Sequence, residues 1–333
     1  MTRVAVVGGG AWGTTLADLL ARKDDDVRLW AREPEVVDGI NRGHANPVFL
    51  PGAALAPNLV ATRELGEAVD GAEVVVCAAP SHAVRRVFQE VASRLRRGAL
   101  IVCVAKGLEP DTLLRLSCVL GDVCGGQAAI AVLSGPSFAQ EVYARQPTAV
   151  VAAAEDHDVA RRVQQVFSTA SFRVYSATDV IGVELGGALK NVIALAAGIT
   201  EGLGLGFNSR AALITRGLAE LTRLGLALGA DSLTFAGLAG LGDLVLTATG
   251  GLSRNRSLGV ELGQGRTLEA ILASRQTVAE GVTTAKSAVA LGERHGVELP
   301  IMREVSAILF EKKEPRQAIA DLMERALKPE QWR

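Results

Sequence analysis

The chain has 333 residues, with 35 Lys+Arg against 36 Asp+Glu and a formal net charge of −1. That length suffices for two domains and a sizeable core, and so even a balance offers no basic field for nucleic acid or an anionic membrane. With 49% hydrophobic and only 4% aromatic residues, the composition describes a closely packed Ala/Val/Leu/Gly core and excludes a disordered chain.

The first predicted element is a strand, Arg3 to Val7. It runs directly into Gly8-Gly9-Gly10-Ala11-Trp12-Gly13, where Gly8, Gly10 and Gly13 fit G-x-G-x-x-G, and a helix-like stretch, Thr14 to Ala21, follows. Kinase loops and plain turns share the pattern, but strand, glycine turn and helix in succession favour a dinucleotide site over a bland glycine turn. Gly8 permits the tight turn, Gly10 lets the backbone approach a pyrophosphate, and Gly13 lets helix pack on strand. The free N–H groups at the helix start face the anion. After the turn Asp24-Asp25-Asp26, Val27 to Trp30 reads as the second strand. An NAD-selective site carries an acid near its end for the ribose 2′-OH. Here the sequence is Trp30-Ala31-Arg32-Glu33. Arg32 suits a 2′-phosphate and favours NADPH, although it also reads as an ordinary surface cation. Glu33 keeps NADH open.

Buried parallel strands are predicted at Val74 to Ala78, Leu100 to Val104, Ala128 to Leu133 and Ala149 to Ala153. Helical stretches such as Ala83 to Leu95 lie between them, and a last strand falls near Phe172 to Tyr175. Near Ile181 the pattern turns wholly helical: Ile181 to Ile199, Asn208 to Leu228, Leu258 to Leu262, Ala279 to His295 and Ile301 to Phe310. The expected architecture is α/β, a Rossmann-like doubly wound sheet over residues 1–180 and an all-helical substrate-binding and catalytic domain over residues 181–333. Cys77, Cys103, Cys118 and Cys124 form no C-x-x-C and read as core thiols of a reducing, cytoplasmic compartment. His44, His82, His157 and His295 show no metal spacing, so no metal site is expected. The N-terminus is already a strand, so no signal peptide is expected.

Ile181 to Ile199 is long enough to span a bilayer. It carries Glu184 and Lys190 mid-stretch, however, and lacks aromatic or basic flanks. It reads as the central helix of a soluble domain, without stable membrane insertion. Lys190 is then either a desolvated proton-transfer group or a lysine that snorkels or pairs with Glu184. Lys106-Gly107 and Ser134-Gly135-Pro136-Ser137-Phe138 each follow a strand, where open α/β sheets place ligands. Leu241-Gly242-Asp243-Leu244 is a glycine-flanked acid in an apolar setting. Ser253-Arg254-Asn255-Arg256-Ser257 offers two guanidiniums, two hydroxyls and a helix start. That suits a phosphate, or else a solvated loop with a cap.

Seven segments together resemble the bacterial NAD(P)-dependent glycerol-3-phosphate dehydrogenase family, from end to end. They are Gly8 to Ala17, Asn46 to Gly52, Ala105 to Pro110, Ser134 to Val142, Glu184 to Ile199, Gly237 to Gly259 and Val278 to Thr284. The GALKN, GLGDL and SRNR blocks, in that order, are far more specific than the glycine loop. The resemblance implies a Rossmann domain followed by a helical domain, in a 6-phosphogluconate-dehydrogenase-like fold. It implies reduction of dihydroxyacetone phosphate to sn-glycerol 3-phosphate for glycerophospholipid synthesis, with NADPH or NADH. It makes Lys190 the proton-transfer residue. Lys106 touches both cofactor and substrate. Gly135, Ser137, Asp243, Ser253, Arg254 and Asn255 fall to the substrate, with Arg254 also reaching the cofactor. Gly8, Gly10, Ala11, Trp12, Gly13, Arg32, Phe49, Ala139, Val278 and Glu280 fall to the cofactor. Three positions depart from the family: Ala11 where serine is frequent, Glu33 where histidine or arginine is common, and Gln140 where lysine is usual. Two other readings stay open, a related dehydrogenase acting on a β-hydroxyacid or another sugar phosphate, and a cofactor-sensing protein without turnover. The sequence leaves the oligomeric state open, a homodimer included.

Overall fold

A computed structural model of the chain describes residues 2–275 and 279–330. Eight strands form one sheet in the order β3-β2-β1-β4-β5-β6-β7-β8. They are β1 (Arg3–Val7), β2 (Asp26–Trp30), β3 (Val60–Thr62), β4 (Val74–Cys77), β5 (Ala99–Cys103), β6 (Ala128–Ser134), β7 (Thr148–Ala153) and β8 (Phe172–Ala177). Seven helices serve this sheet: α1 (Ala11–Ala21), α2 (Pro34–Gly43), α3 (Leu65–Val69), α4 (Val84–Val91), α5 (Leu116–Cys124), α6 (Ala139–Tyr143) and α7 (His157–Phe167). Both faces are covered, so the central strands read as unbroken apolar runs. Val4 and Val6 of β1 join the core under α1, whereas Ala5 and Val7 join the one under α3 to α5.

The sheet is not parallel throughout, as the apolar run Ala149 to Ala153 suggested. Strand β7 runs antiparallel to β6, with Ser134 opposite Val151, and β8 runs parallel to β7. The connection explains the reversal. Helix α6 has only five residues, and its Ala139 carbonyl accepts a hydrogen bond from Thr15 Oγ1 of α1 at 3.3 Å. The chain therefore stays at the carboxyl end of β6 instead of crossing back over a face, and β7 descends from there. Strand β3 went unpredicted because it has three residues, of which only Ala61 is buried.

After Ala177 the described chain is helical: α8 (Val180–Gly202), α9 (Phe207–Ala227), α10 (Ser232–Ala236), α11 (Asp243–Thr249), α12 (Arg254–Gly263), α13 (Leu268–Ala273), α14 (Glu280–Arg294), α15 (Pro300–Phe310) and α16 (Pro315–Met323). Helix α8 is the axle, and 89% of its apolar window is buried inside the protein. It meets α12 at backbone distance. A Cβ on Gly198 would lie 2.0 Å from the Arg256 carbonyl, and one on Gly259 would lie 2.2 Å from that of Leu195. Any side chain at these crossings would push the helices apart and carry Asn255 away from α8.

One buried acid caps a helix in this core. Glu220 of α9 is 1% exposed, and its carboxylate accepts the Ile301 and Met302 N–H groups at 2.7 and 3.2 Å, at the start of α15. Burial pushes it up to about 7 from an ordinary 4.5, against the two N–H donors that pull it down. The folded state thus holds a proton that the unfolded chain releases. The contribution is fully present below about pH 4.5 and is lost as pH rises through about 7. Urea denaturation of wild type and Glu220→Gln across this window should show the difference in stability between them falling as pH rises, on the order of 1 kcal/mol per pH unit. A constant difference would contradict the assignment.

Candidate active site

The glycine turn is built as its spacing requires. Gly8 has φ +131°, and a Cβ there would lie 2.6 Å from the Ala78 carbonyl beyond β4. A Cβ on Gly13 would lie 2.0 Å from the Gly8 carbonyl, so α1 packs on the turn only with glycine. Gly10 has nothing within 4 Å of its Cβ direction and caps α1 without a side-chain hydrogen bond. The N–H groups of Ala11, Trp12 and Gly13 precede the first intrahelical bond, Thr14 N to Gly10 O. Open space before unpaired N–H groups is what a pyrophosphate occupies, so these residues fit a dinucleotide.

The loop after α2 completes this side. Asn46 is fully buried. Its Nδ2 donates to Gly9 O at 2.9 Å and to Thr14 Oγ1 at 2.8 Å, while its Oδ1 accepts the Val48 and Phe49 N–H groups. Phe49 is thereby tied to the glycine turn. Ala139 lies on the other flank of α1. Arg32 stands beyond β2, 79% exposed, with its guanidinium 3.1 Å from Glu33. Among the described residues its hydrogen bond and ion pair go to Glu33 and to no other site residue. Val278 lies outside the described residues.

The chemical centre is a carboxylate between two ammonium groups. Asp243, 1% exposed, opens α11. Its Oδ1 lies 2.5 Å from Lys190 Nζ of α8, and its Oδ2 lies 2.6 Å from Lys106 Nζ, which follows β5. Thr247, one turn on in α11, accepts from Lys190 Nζ at 2.6 Å. Lys106 also donates to the Gly135 carbonyl at 3.0 Å, as does Ser137 Oγ at 2.9 Å. Close backbone approach sets Asp243 in place: a Cβ on Gly186 of α8 would lie 2.5 Å from the Ala239 carbonyl, in the turn leading into α11. Burial pushes Lys190 down to about 8; Asp243 opposes that shift and Lys106 adds to it. The alternative pairing with Glu184 does not occur. Glu184 accepts from Arg115 Nη1 at 2.7 Å and from Ser117.

A second polar group adjoins the first. Asn255 Nδ2 donates to Asn191 Oδ1 at 3.0 Å, and its own Oδ1 accepts the Gly281 N–H at 2.9 Å. Glu280 accepts from Ser81 instead. Ser253 caps α12, accepting the Arg256 N–H at 3.2 Å, which extends that helix N-terminally beyond the expected Leu258. The expected pair of guanidiniums is not realised. Arg256 forms a bidentate pair with Glu201, through Nε at 3.0 Å and Nη2 at 2.5 Å. Arg254 is exposed, and among the described residues its guanidinium has no polar partner. Thr247, Asn191 and Asn46 escaped the sequence reading. Thr247 was accessible, since it lies four residues after Asp243 and so shares its face.

Lys190, Asp243 and Lys106 meet just past the end of β5, where Lys106 is also tied to the Gly135 carbonyl just past β6, at the same end of the sheet as the glycine turn after β1. This defines a two-domain dehydrogenase working with a bound dinucleotide. The chain matches the NAD-dependent glycerol-3-phosphate dehydrogenase N-terminus over residues 3–160 and the corresponding C-terminus over residues 179–320. It is 56% identical to a glycerol-3-phosphate dehydrogenase (NAD(P)+) of Geobacter sulfurreducens, over 99% of both chains. It is 51% identical to one of Nitratidesulfovibrio vulgaris Hildenborough, over 98% of this chain and all of the other. The crystal structure of glycerol-3-phosphate dehydrogenase from Coxiella burnetii superposes with a TM-score of 0.93 at 39% identity, covering 97% and 99% of the two chains. The chain belongs to the NAD-dependent glycerol-3-phosphate dehydrogenase family.

The lysine centre has a direct test. Asp243 raises the Lys190 pKa by charge and by hydrogen bond, so Asp243→Asn should lower it further below about 8. In a pH profile of carbonyl reduction, the alkaline fall in kcat/KM should move to lower pH in the variant. An unmoved limb would show that Asp243 does not set the lysine's proton affinity.

Proposed function

We infer that the chain reduces dihydroxyacetone phosphate to sn-glycerol 3-phosphate with NADPH or NADH, the step that supplies the glycerol backbone of glycerophospholipids. The observation that carries this reading is Asp243 bridging Lys106 and Lys190 at the carboxyl ends of the strands. The reduced nicotinamide, when bound, supplies the hydride for the carbonyl carbon. Everything else falls to the chain. Lys190 Nζ gives its proton to the carbonyl oxygen as negative charge develops there. Asp243 and Thr247 hold that ammonium by two of its three hydrogens, leaving one for the substrate. Lys106 adds a second positive charge beside the same oxygen. Arg254 takes the phosphate, helped by Ser253, whose hydroxyl accepts in its cap and so can still donate. Asn255, with its carbonyl oxygen and one amide hydrogen engaged, holds the pocket wall and offers its second amide hydrogen.

Gly8, Gly10, Ala11, Trp12 and Gly13 hold the pyrophosphate end of the cofactor, flanked by Phe49 and Ala139. Arg32 takes a 2′-phosphate on leaving Glu33, which favours NADPH without excluding NADH. Every group of the lysine centre comes from one chain, so the reading holds for a monomer or a homodimer. Free thiols such as that of Cys118, half-buried, suit the cytoplasm.

Two experiments test the assignment. Reduction needs Lys190 as ammonium and oxidation needs it as amine. With the group near 8, reduction should fall and oxidation rise through that pH, and Lys190→Ala should abolish both while NADPH still binds. Profiles that do not mirror each other, or a turning-over variant, would remove Lys190 from the proton step. Arg254→Ala should weaken dihydroxyacetone phosphate by roughly 2–4 kcal/mol, since a charge-assisted pair is lost. Unphosphorylated dihydroxyacetone should suffer far less. Equal losses for the two substrates would mean that Arg254 acts through the cofactor or the fold.

A further inference from the structure

Glu280 reaches across the molecule. It opens α14 in the helical part, yet its carboxylate is held by the loop after β4. The Ser81 N–H donates to Oε1 at 3.2 Å and Ser81 Oγ donates to Oε2 at 2.6 Å, between residues 199 apart in sequence. Ser81 is 3% exposed. It follows Ala78, the residue whose carbonyl walls the glycine turn at Gly8. It also abuts Gly107, next to Lys106. A Cβ on Gly107 would lie 2.8 Å from Ser81 Oγ and 3.3 Å from Glu280 Oε2. Ser81 and Glu280 thus lie against Gly107, next to Lys106, and Ser81 is three residues on from the wall of the dinucleotide turn.

We propose that Ser81 is a positioning residue for the cofactor: by gripping both carboxylate oxygens of Glu280 it aims their remaining lone pairs at a ribose hydroxyl of the bound dinucleotide. The chemistry favours this orientation. A carboxylate repels phosphates but accepts well from hydroxyls, and one donor to each oxygen leaves each a second acceptor site. The grip also continues inward. Residue 281, next to Glu280, donates to Asn255, Asn255 donates to Asn191, and Asn191 adjoins Lys190. A polar chain therefore links the loop that fixes Glu280 to the helix that carries the acid. The proposal rests on the dinucleotide-dependent reading above and goes beyond it in giving Ser81 a task.

The test compares Ser81→Ala, Ser81→Thr, Glu280→Gln and the Ser81→Ala/Glu280→Gln pair. NADPH affinity is read by nicotinamide fluorescence without substrate, alongside the melting temperature of the cofactor-free protein. Ser81→Ala should weaken NADPH about ten-fold, the worth of a hydrogen bond to a charged group. The loss should appear in cofactor KM more than in kcat. Ser81→Thr, which keeps both donors, should recover most of it, and the double variant should be no weaker than Glu280→Gln. Unchanged NADPH affinity in Ser81→Ala overturns the proposal. So do losses that add in the double variant, or a loss that tracks melting temperature and is not rescued by threonine. Failure of the functional reading looks different: wild type would bind NADPH yet leave dihydroxyacetone phosphate unreduced, while the affinity series stood.

Discussion

The structure turns on one carboxylate. Asp243 stands between two ammonium groups that would otherwise repel each other, with Lys190 Nζ at 2.5 Å and Lys106 Nζ at 2.6 Å. A buried lysine alone would shed its proton, and two together would do so sooner. One shared carboxylate opposes both tendencies, which leaves Lys190 near 8, able to give a proton or take one near neutral pH. The arrangement demands that three distant segments, the end of β5, the middle of α8 and the start of α11, meet within hydrogen-bond reach. Much of the helical packing serves that demand. Gly186 lets the turn before α11 touch α8, and Gly198 and Gly259 let α12 do the same one face over. Glycine costs helix propensity at such positions, a cost offset here by close packing around α8.

The same economy runs through the polar contacts away from the lysines. Asn46 spends its whole amide on the glycine turn, Thr14 and the Phe49 loop. Asp18 of α1 accepts the Ala56 N–H at 2.7 Å, which fastens the far end of that loop. A buried side chain with both ends engaged cannot rotate without leaving a group unpaired, at about 1–3 kcal/mol. These side chains therefore act as fixed struts, and the cofactor side is rigid where the pyrophosphate would lie.

Most of the sheet was legible because its signal is local. Continuous apolar runs, a glycine turn in its proper context and a change from strand-like to helical periodicity need only neighbouring residues. Strand direction does not have that property. The descent of β7 depends on where α6 docks, and α6 docks on α1, more than a hundred residues away. Likewise Lys190 stood out as a charge in an apolar helix, while its partner could be chosen only in three dimensions: Glu184, the local candidate, is drawn off by Arg115 and Ser117. Asn46 and Asn191 were hidden for a related reason. An asparagine in a loop or helix reads as polar surface until its partners are known.

Arg256 shows what a local cluster conceals, and its pairing bears on substrate choice. Both arginines of Ser253-Arg254-Asn255-Arg256 looked equally placed for a phosphate, yet Glu201 neutralises Arg256 and Arg254 alone stays open. A phosphate placed against Arg254 would meet a guanidinium with no carboxylate of its own among the described residues, whereas the charge of Arg256 is already taken up by Glu201. A dianion draws more from that contact than a carboxylate monoanion does, so the proposed reading favours a phosphorylated substrate over the β-hydroxyacids that a related two-domain dehydrogenase would take.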